Sequence, residues 1–506
     1  MPGVRGFLVA VCALLIPSAA LAHGGLRSSI PARGAHLSTA PGEIRLDFSE
    51  AAELTFTRLD LVGPDGPVRL GKLSFVAGDR RAVIRPVEGP LVAGQYTVTW
   101  QVAGADGHPV RGKFGFSIAV GANGLGVLSP VPPGVRATGV GRGAAAGAGA
   151  KRVEQVHHDP ETFPDAGGFN AESPLYVVIR WLQFVTLLVL IGATAFYHFV
   201  LGFLRKKQRP DSPMLRPASL QAARVGLYAA LALGGVAILR LLAQSYAMHM
   251  PGSGFAPALM WSMIGMTTWG WGWLLQAVGT AGAITGFSAA RKDLAKGWRI
   301  ATAGAIASAF APALSGHAAS APSVPPLAIL ADGLHIMGAA GWLGSLFILL
   351  VVGIPAAMKL EVNDRGVAIA DLVNAFSPTA LAFAGITMSA GVFAAWLHLG
   401  TIPALWQTQY GKTLLLKLAI LGIVTGTGAY NFLYVKPRLG RIEGAKRIRR
   451  SATLEVGVAV MVLLITAVLV ATPTPMDVRP MAEVEQHKRH DPLILLVEPG
   501  QPRLPF

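Results

Sequence analysis

The chain has 506 residues, of which 52% are hydrophobic and only 14% charged, against roughly 25% charged in an average soluble domain. That excludes one ordinary soluble enzyme and a disordered tail protein. The net charge of +16 has the sign of a nucleic-acid binder, but basic cytoplasmic loops of a membrane protein give the same sign, so the location of the charge decides.

Residues 1–22 read as a secretory signal peptide. Arg5 supplies the positive start, 6–16 is an apolar run too short to span a bilayer comfortably, and Ala20-Leu21-Ala22 is a small-residue cleavage site. Cleavage there makes His23 the new amino terminus. It also removes Cys12, the one cysteine of the chain. The processed chain then has no disulfide and no thiolate metal ligand, so soft-metal chemistry falls to His, Met and carboxylates.

Residues 23–120 predict an N-terminal all-β, immunoglobulin-like sandwich. Polar and apolar residues alternate through 43–48 and 95–102, and 54–62, 68–76, 82–87 and 113–120 add further strands. Turn signals such as Pro41-Gly42 and Asp106-Gly107 separate them. Period-two alternation at this spacing argues for about seven antiparallel strands. An amino-terminal His offers an amine and an imidazole on one residue, a natural chelate. Imidazole with carboxylate oxygen suits tetragonal Cu(II). Asp106 and His108 are two apart, so on an extended strand end they point to one side. The bland alternative is an Asp-Gly turn beside a surface histidine.

The order of His23, Ser28-Ser29-Ile30-Pro31-Ala32-Arg33-Gly34-Ala35, Leu46-Asp47-Phe48-Ser49-Glu50 and Ala105-Asp106-Gly107-His108-Pro109-Val110-Arg111-Gly112 resembles the periplasmic copper protein family CopC. The resemblance implies His23, Asp106 and His108 as Cu(II) ligands, with Glu50 as a weaker ligand or a residue behind them. Some members add a methionine-rich Cu(I) site. No methionine occurs between His23 and Val120, so that second site is expected to be missing.

Residues 121–173 are rich in Gly, Ala and Pro without periodicity and read as a flexible linker. Residues 174–471 then predict an all-α bundle of eight transmembrane helices, at about 174–204, 222–247, 266–290, 299–317, 326–353, 375–398, 412–435 and 452–471. Basic residues orient it. The first loop carries Arg205, Lys206, Lys207, Arg209, Arg216 and Arg224, the third Arg291, Lys292, Lys296 and Arg299, and the fifth Lys359 and Arg365. The seventh carries Lys436, Arg438, Arg441, Lys446, Arg447, Arg449 and Arg450, whereas the second and fourth carry no Lys or Arg. Odd loops are therefore cytoplasmic, and the sandwich and the tail 472–506 are both periplasmic. The positive charge is a topology signal, and no nucleic-acid partner is expected.

This orientation places His249, His317 and His398 at outer helix ends, with His335 about 14 Å along its helix from Pro326. Met248 and Met250 flank His249, and Met260, Met263 and Met266 follow at helical spacing. Thioethers suit Cu(I), although methionine also fills apolar cores. Asp332 and His335 share a helix face. Two readings stand: Asp332 pairs with Arg240 and His335 only hydrogen-bonds, or His335 with His317 forms an intramembrane metal step. Lys417 and Glu455 are also intramembrane and lie at opposite depths, so each needs another partner.

Leu314-Ser315-Gly316-His317-Ala318-Ala319, Asp332-Gly333-Leu334-His335, Trp342-Leu343-Gly344, Phe376-Ser377, Tyr410-Gly411-Lys412-Thr413-Leu414-Leu415-Leu416-Lys417 and Gly428-Ala429-Tyr430-Asn431 resemble the inner-membrane copper-resistance family CopD. The whole chain thus resembles a CopC–CopD fusion. The resemblance implies a non-enzymatic copper importer of the bacterial cytoplasmic membrane, with copper ions, the lipid bilayer and copper chaperones of the periplasm or cytoplasm as partners. No G-x-x-x-x-G-K-[ST] loop is present, so ATP drive is not expected. Two other classes stand beside this one. An oxidative enzyme of the histidine-brace type would also use an amino-terminal His, but Asp106 would fill the position its chemistry leaves open. A haem-binding electron carrier would use histidines paired across helices.

Overall fold

The computed structural model describes residues 26–48, 52–103, 109–119, 173–208, 211–248, 255–316, 324–435 and 442–472, with a few isolated residues between them. The signal segment 1–22, most of the linker 121–173 and nearly all of the tail 472–506 lie outside the described residues.

The N-terminal unit is a sandwich of two sheets. One holds β1 (Leu26–Ile30), β3 (Glu43–Phe48), β7 (Asp79–Pro86) and β6 (Ser74–Val76), in the order β1-β3-β7-β6. The other holds β2 (His36–Leu37), β9 (Pro109–Ile118), β8 (Gly94–Ala103), β4 (Arg58–Gly63) and β5 (Gly66–Pro67), in the order β2-β9-β8-β4-β5. The two extra strands relative to the expected seven are the two-residue β2 and β5. Alternation works as expected: Ile44, Leu46 and Phe48 of β3 turn inward against Tyr96, Val98 and Trp100 of β8 and Phe114 and Phe116 of β9. Their burial drives the two sheets together.

The helical region follows in chain order: α1 (Pro174–Lys206), α2 (Leu215–Met248), α3 (Pro257–Met266), α4 (Thr268–Ala290), α5 (Ala295–Leu314), α6 (Pro325–Met358), α7 (Val362–Leu399), α8 (Gln409–Tyr434) and α9 (Ile442–Ala471). Six of these, α1, α2, α6, α7, α8 and α9, are long and apolar enough to cross a membrane. The expected count of eight also included α4 and α5, which form helices of 23 and 20 residues. Their composition explains why they fall short in apolarity. They pack backbone to backbone, so their contact face is Gly and Ala rather than Leu and Ile. A Cβ at Gly286 would sit 2.2 Å from the Ala301 nitrogen, and one at Gly304 would sit 2.4 Å from the Gly279 carbonyl oxygen. The methionine-bearing segment is a separate ten-residue helix, α3, ahead of α4.

Candidate functional site

The four candidate Cu(II) ligands of the sandwich, His23, Glu50, Asp106 and His108, lie outside the described residues. The strand ends from which they leave are described. β1 begins at Leu26, paired with Phe48 at the end of β3. β8 ends and β9 begins with Ala103 opposite Pro109. The Phe48 and Trp100 rings meet edge-on at 5.4 Å between these two pairs of ends. The topology therefore brings the departure points of all three ligand-bearing segments to one end of the sandwich.

The β8–β9 hairpin is seated on the helical region. Gln101 faces Arg111 across it, and the Arg111 Nε donates to the Gln101 Oε1 at 2.8 Å. The Gln101 Nε2 then donates to the Met248 carbonyl at 2.8 Å, and the Arg111 Nη2 to the Ala247 carbonyl at 3.0 Å. Both carbonyls belong to the last turn of α2, where helical partners run out. A cation there also suits the negative end of the helix dipole. Burial pushes the Arg111 guanidinium below its ordinary pKa, because the contact removes water from half of it. Beside this polar contact, Phe56 of the sandwich packs with Met248, Met263 and Trp269.

This contact sorts the methionines. Met248 and Met263 are buried together (1% and 0% exposed), while Met266 is 63% exposed and Met260 half-buried. The i, i+3, i+6 spacing drifts around a helix, so only Met263 of the three points into the contact. His249 and Met250, the next two residues after Met248, lie outside the described residues, as does His317.

His335 is half-buried on α6 and its Nδ1 lies 2.8 Å from the Thr387 carbonyl of α7. A carbonyl only accepts, so Nδ1 carries the proton and Nε2 keeps its lone pair. That is the tautomer of a metal-ligating imidazole held from behind. Gly391, one turn beyond Thr387, makes room: a Cβ there would lie 2.9 Å from the His335 Cε1. This Thr387/Gly391 seat was missed in the sequence; its only trace is a hydroxyl and a glycine at i, i+4 on α7. Asp332 and Lys417 lie within electrostatic reach of His335 and of each other.

The pairing of Asp332 with Arg240 is not formed. The Arg240 Nη2 donates to the Oγ of Ser315, just past the end of α5, at 2.6 Å and its guanidinium lies over the Trp269 ring at 5.1 Å. The physical reason is the packing: Arg240 faces α4 and α5, whereas Asp332 faces the neighbourhood of α8. Glu455 accepts from Asn431 instead of meeting Lys417. His398 donates from Nδ1 to the Ala394 carbonyl of its own helix at 2.7 Å, which again leaves Nε2 available. It stands seven residues, about 10 Å, along α7 from Gly391, so His335 and His398 are successive positions rather than one site. Among the described residues no group of three or more His, Cys, Asp or Glu side chains gathers around a common point. At the opposite end of the bundle a cavity of about 420 Å³ opens between Tyr197, Arg205, Asp211, Arg216, Asp293 and Trp298.

Comparison with known proteins matches three stretches. Residues 26–119 fit the CopC domain, 171–325 the copper resistance protein D-like N-terminal domain, and 370–469 copper resistance protein D. The copper transport protein CutJ of Bacillus subtilis is 24% identical over 97% of this chain and 82% of its own length. Copper resistance protein C of Escherichia coli is 35% identical over 20% of this chain and 83% of its own length. Copper resistance protein D of Pseudomonas syringae pv. tomato is 25% identical over 58% of this chain and 94% of its own length.

Proposed function

The chain belongs to the copper resistance family and joins its CopC and CopD domains in one polypeptide, and from that premise we propose that it captures copper with its sandwich and imports it across the cytoplasmic membrane. The observation that carries this reading is the seat of the β8–β9 hairpin on the Met248 end of α2. It sets the hairpin that bears Asp106 and His108 against a helix end followed by His249 and Met250. Tethering the two raises the effective concentration of donor at acceptor.

In this reading the sandwich and the tail lie in the periplasm. His23 supplies amine and imidazole to Cu(II), Asp106 and His108 complete the set, and Glu50 stands beside or behind them. Met248, His249, Met250 and the α3 methionines Met260, Met263 and Met266 form the receiving side, where thioethers suit Cu(I). His317, His335 and His398 are then positions along the bundle, with His335 the best prepared because Thr387 holds its tautomer. Copper chaperones of either compartment would supply or collect the ion. The role is transport rather than catalysis.

The test is copper accumulation by copper-starved cells carrying wild type or His335→Ala. Reduced accumulation at equal membrane abundance supports the reading. Equal accumulation removes His335 from the path.

A further inference from the structure

Beneath the docked sandwich the bundle holds a second polar cluster that copper binding does not use. Arg180 of α1 and Arg240 of α2 are only 6% and 5% exposed. Their faces are covered by rings, Arg180 over Tyr176 at 4.9 Å and Arg240 over Trp269 at 5.1 Å. Their edges are only partly satisfied: the Arg240 Nη2 reaches Ser315 and the Tyr176 side chain interacts with both guanidiniums, but the Nη1 of Arg180 and the Nε and Nη1 of Arg240 meet no hydrogen-bond partner. Among the described residues no carboxylate lies within ion-pair distance of either.

Three more buried groups on the adjoining helices α4 and α5 are also unpartnered: the Gln276 Nε2, the Thr280 Oγ1 and the Ser308 Oγ. Gln276 is tied to this layer because its Oε1 accepts from the Gln183 Nε2 at 2.7 Å. Arg180, Arg240, Gln276 and Ser308 each stand six to eight residues from the sandwich-side end of their helix, about 9 to 12 Å. These six atoms of α1, α2, α4 and α5 are all able to donate a hydrogen bond, and none of them is a carbonyl or carboxylate oxygen. Guanidinium does not shed its proton in a protein. Two buried positive charges with idle donors in the same layer lack one thing, a negative charge that accepts.

We propose that Arg180 and Arg240 form the binding site of one small inorganic anion of the halide class, placed between α1, α2, α4 and α5. A compact monovalent ion is chosen because the donors are closed off from solvent, and the smaller the charge taken out of water, the smaller the desolvation cost. The anion accepts hydrogen bonds from the partnerless guanidinium nitrogens and takes further ones from Gln276 and Ser308. The site lies next to Trp269, which is also part of the sandwich contact, so its charge balance bears directly on the docked face. It is independent of the copper reading.

The test is equilibrium binding of radioactive chloride to the full-length purified protein in lipid nanodiscs, without copper. Wild type is expected to bind it saturably, with bromide competing and gluconate not. Arg180→Gln and Arg240→Gln, which keep polarity and drop charge, are expected to weaken binding by about tenfold or more, the size of one charge-assisted hydrogen bond. A second measurement needs no variant: the wild-type thermal midpoint is expected to rise in chloride relative to gluconate at equal ionic strength. Absence of saturable binding by wild type overturns the proposal. So does a midpoint that ignores the anion, or binding that survives both substitutions.

Discussion

Replacing Arg111 with Ala should loosen the seat of the sandwich on the bundle while leaving both folded. Arg111 lies at the edge of the sandwich, outside its core, and its guanidinium ties Gln101 to the Ala247 carbonyl. A hydrogen bond from a charged group contributes about 1.5–3 kcal/mol. Half of the guanidinium keeps its water, so a value of about 2 kcal/mol is appropriate, or about a 30-fold shift in the docked-to-undocked ratio. The loss also leaves the Ala247 carbonyl to water, which restrains the effect from growing further. The assay exploits the cysteine content. With protein that starts at His23 and so lacks Cys12, cysteines introduced at Asp79 on the sandwich and Thr401 beyond α7 are the sole labelling sites. Pulsed electron-spin distance measurements between them should give one narrow distribution in wild type and a broad one in Arg111→Ala. Arg111→Lys should fall between, because an ammonium keeps the charge but loses the fork that serves two acceptors. An unchanged narrow distribution in Arg111→Ala would refute the idea that this contact holds the domains together.

Asp106→Asn and His108→Ala should each weaken Cu(II) binding by the processed protein by more than about 100-fold, the upper range for losing even an outer partner of a ligand; isothermal titration checks it. The same affinity should fall as pH drops from alkaline through neutral to acid, because the His23 amine and then the imidazoles must each be without their proton to ligate. Gly391→Ala should push against the His335 ring, whose Cε1 lies 2.9 Å from the added Cβ, and lower copper uptake more than it lowers the thermal midpoint. Gly286→Leu should separate α4 from α5, since even a Cβ would meet the Ala301 nitrogen at 2.2 Å, and lower the thermal midpoint sharply. Glu455→Gln should leave uptake near normal, because Asn431 is the partner it has.

Much of the fold was legible because its forces are local. Alternation in 43–48 and 95–102 assigns an inner and an outer face without reference to any other segment, and β3 and β8 follow it. The helices announce themselves by apolar length. The two that fall short of the apolarity of a span, α4 and α5, do so because their Gly-rich faces serve each other, which only the packed pair reveals. The docking contact was illegible for a related reason. Gln101 and Arg111 are polar positions of an alternating hairpin, and alternation says only that they leave the sandwich core. That they meet another domain rather than water depends on a helix end more than 130 residues away in sequence. The intramembrane charges stood out in the sequence, but their partners did not. Arg240 matched Asp332 in depth, yet depth does not say which way each helix is turned. His335 was readable as a candidate, whereas its tautomer is set by a carbonyl 52 residues on.

Copper movement by this chain is tested by copper entry into sealed proteoliposomes containing the purified protein with His23 as its amino terminus. Time-dependent accumulation inside the vesicles is expected to exceed that of protein-free vesicles and to drop strongly with His335→Ala. Copper that binds to the outside with no accumulation in the lumen would contradict it, and would leave a membrane-tethered copper-binding protein in place of a transporter.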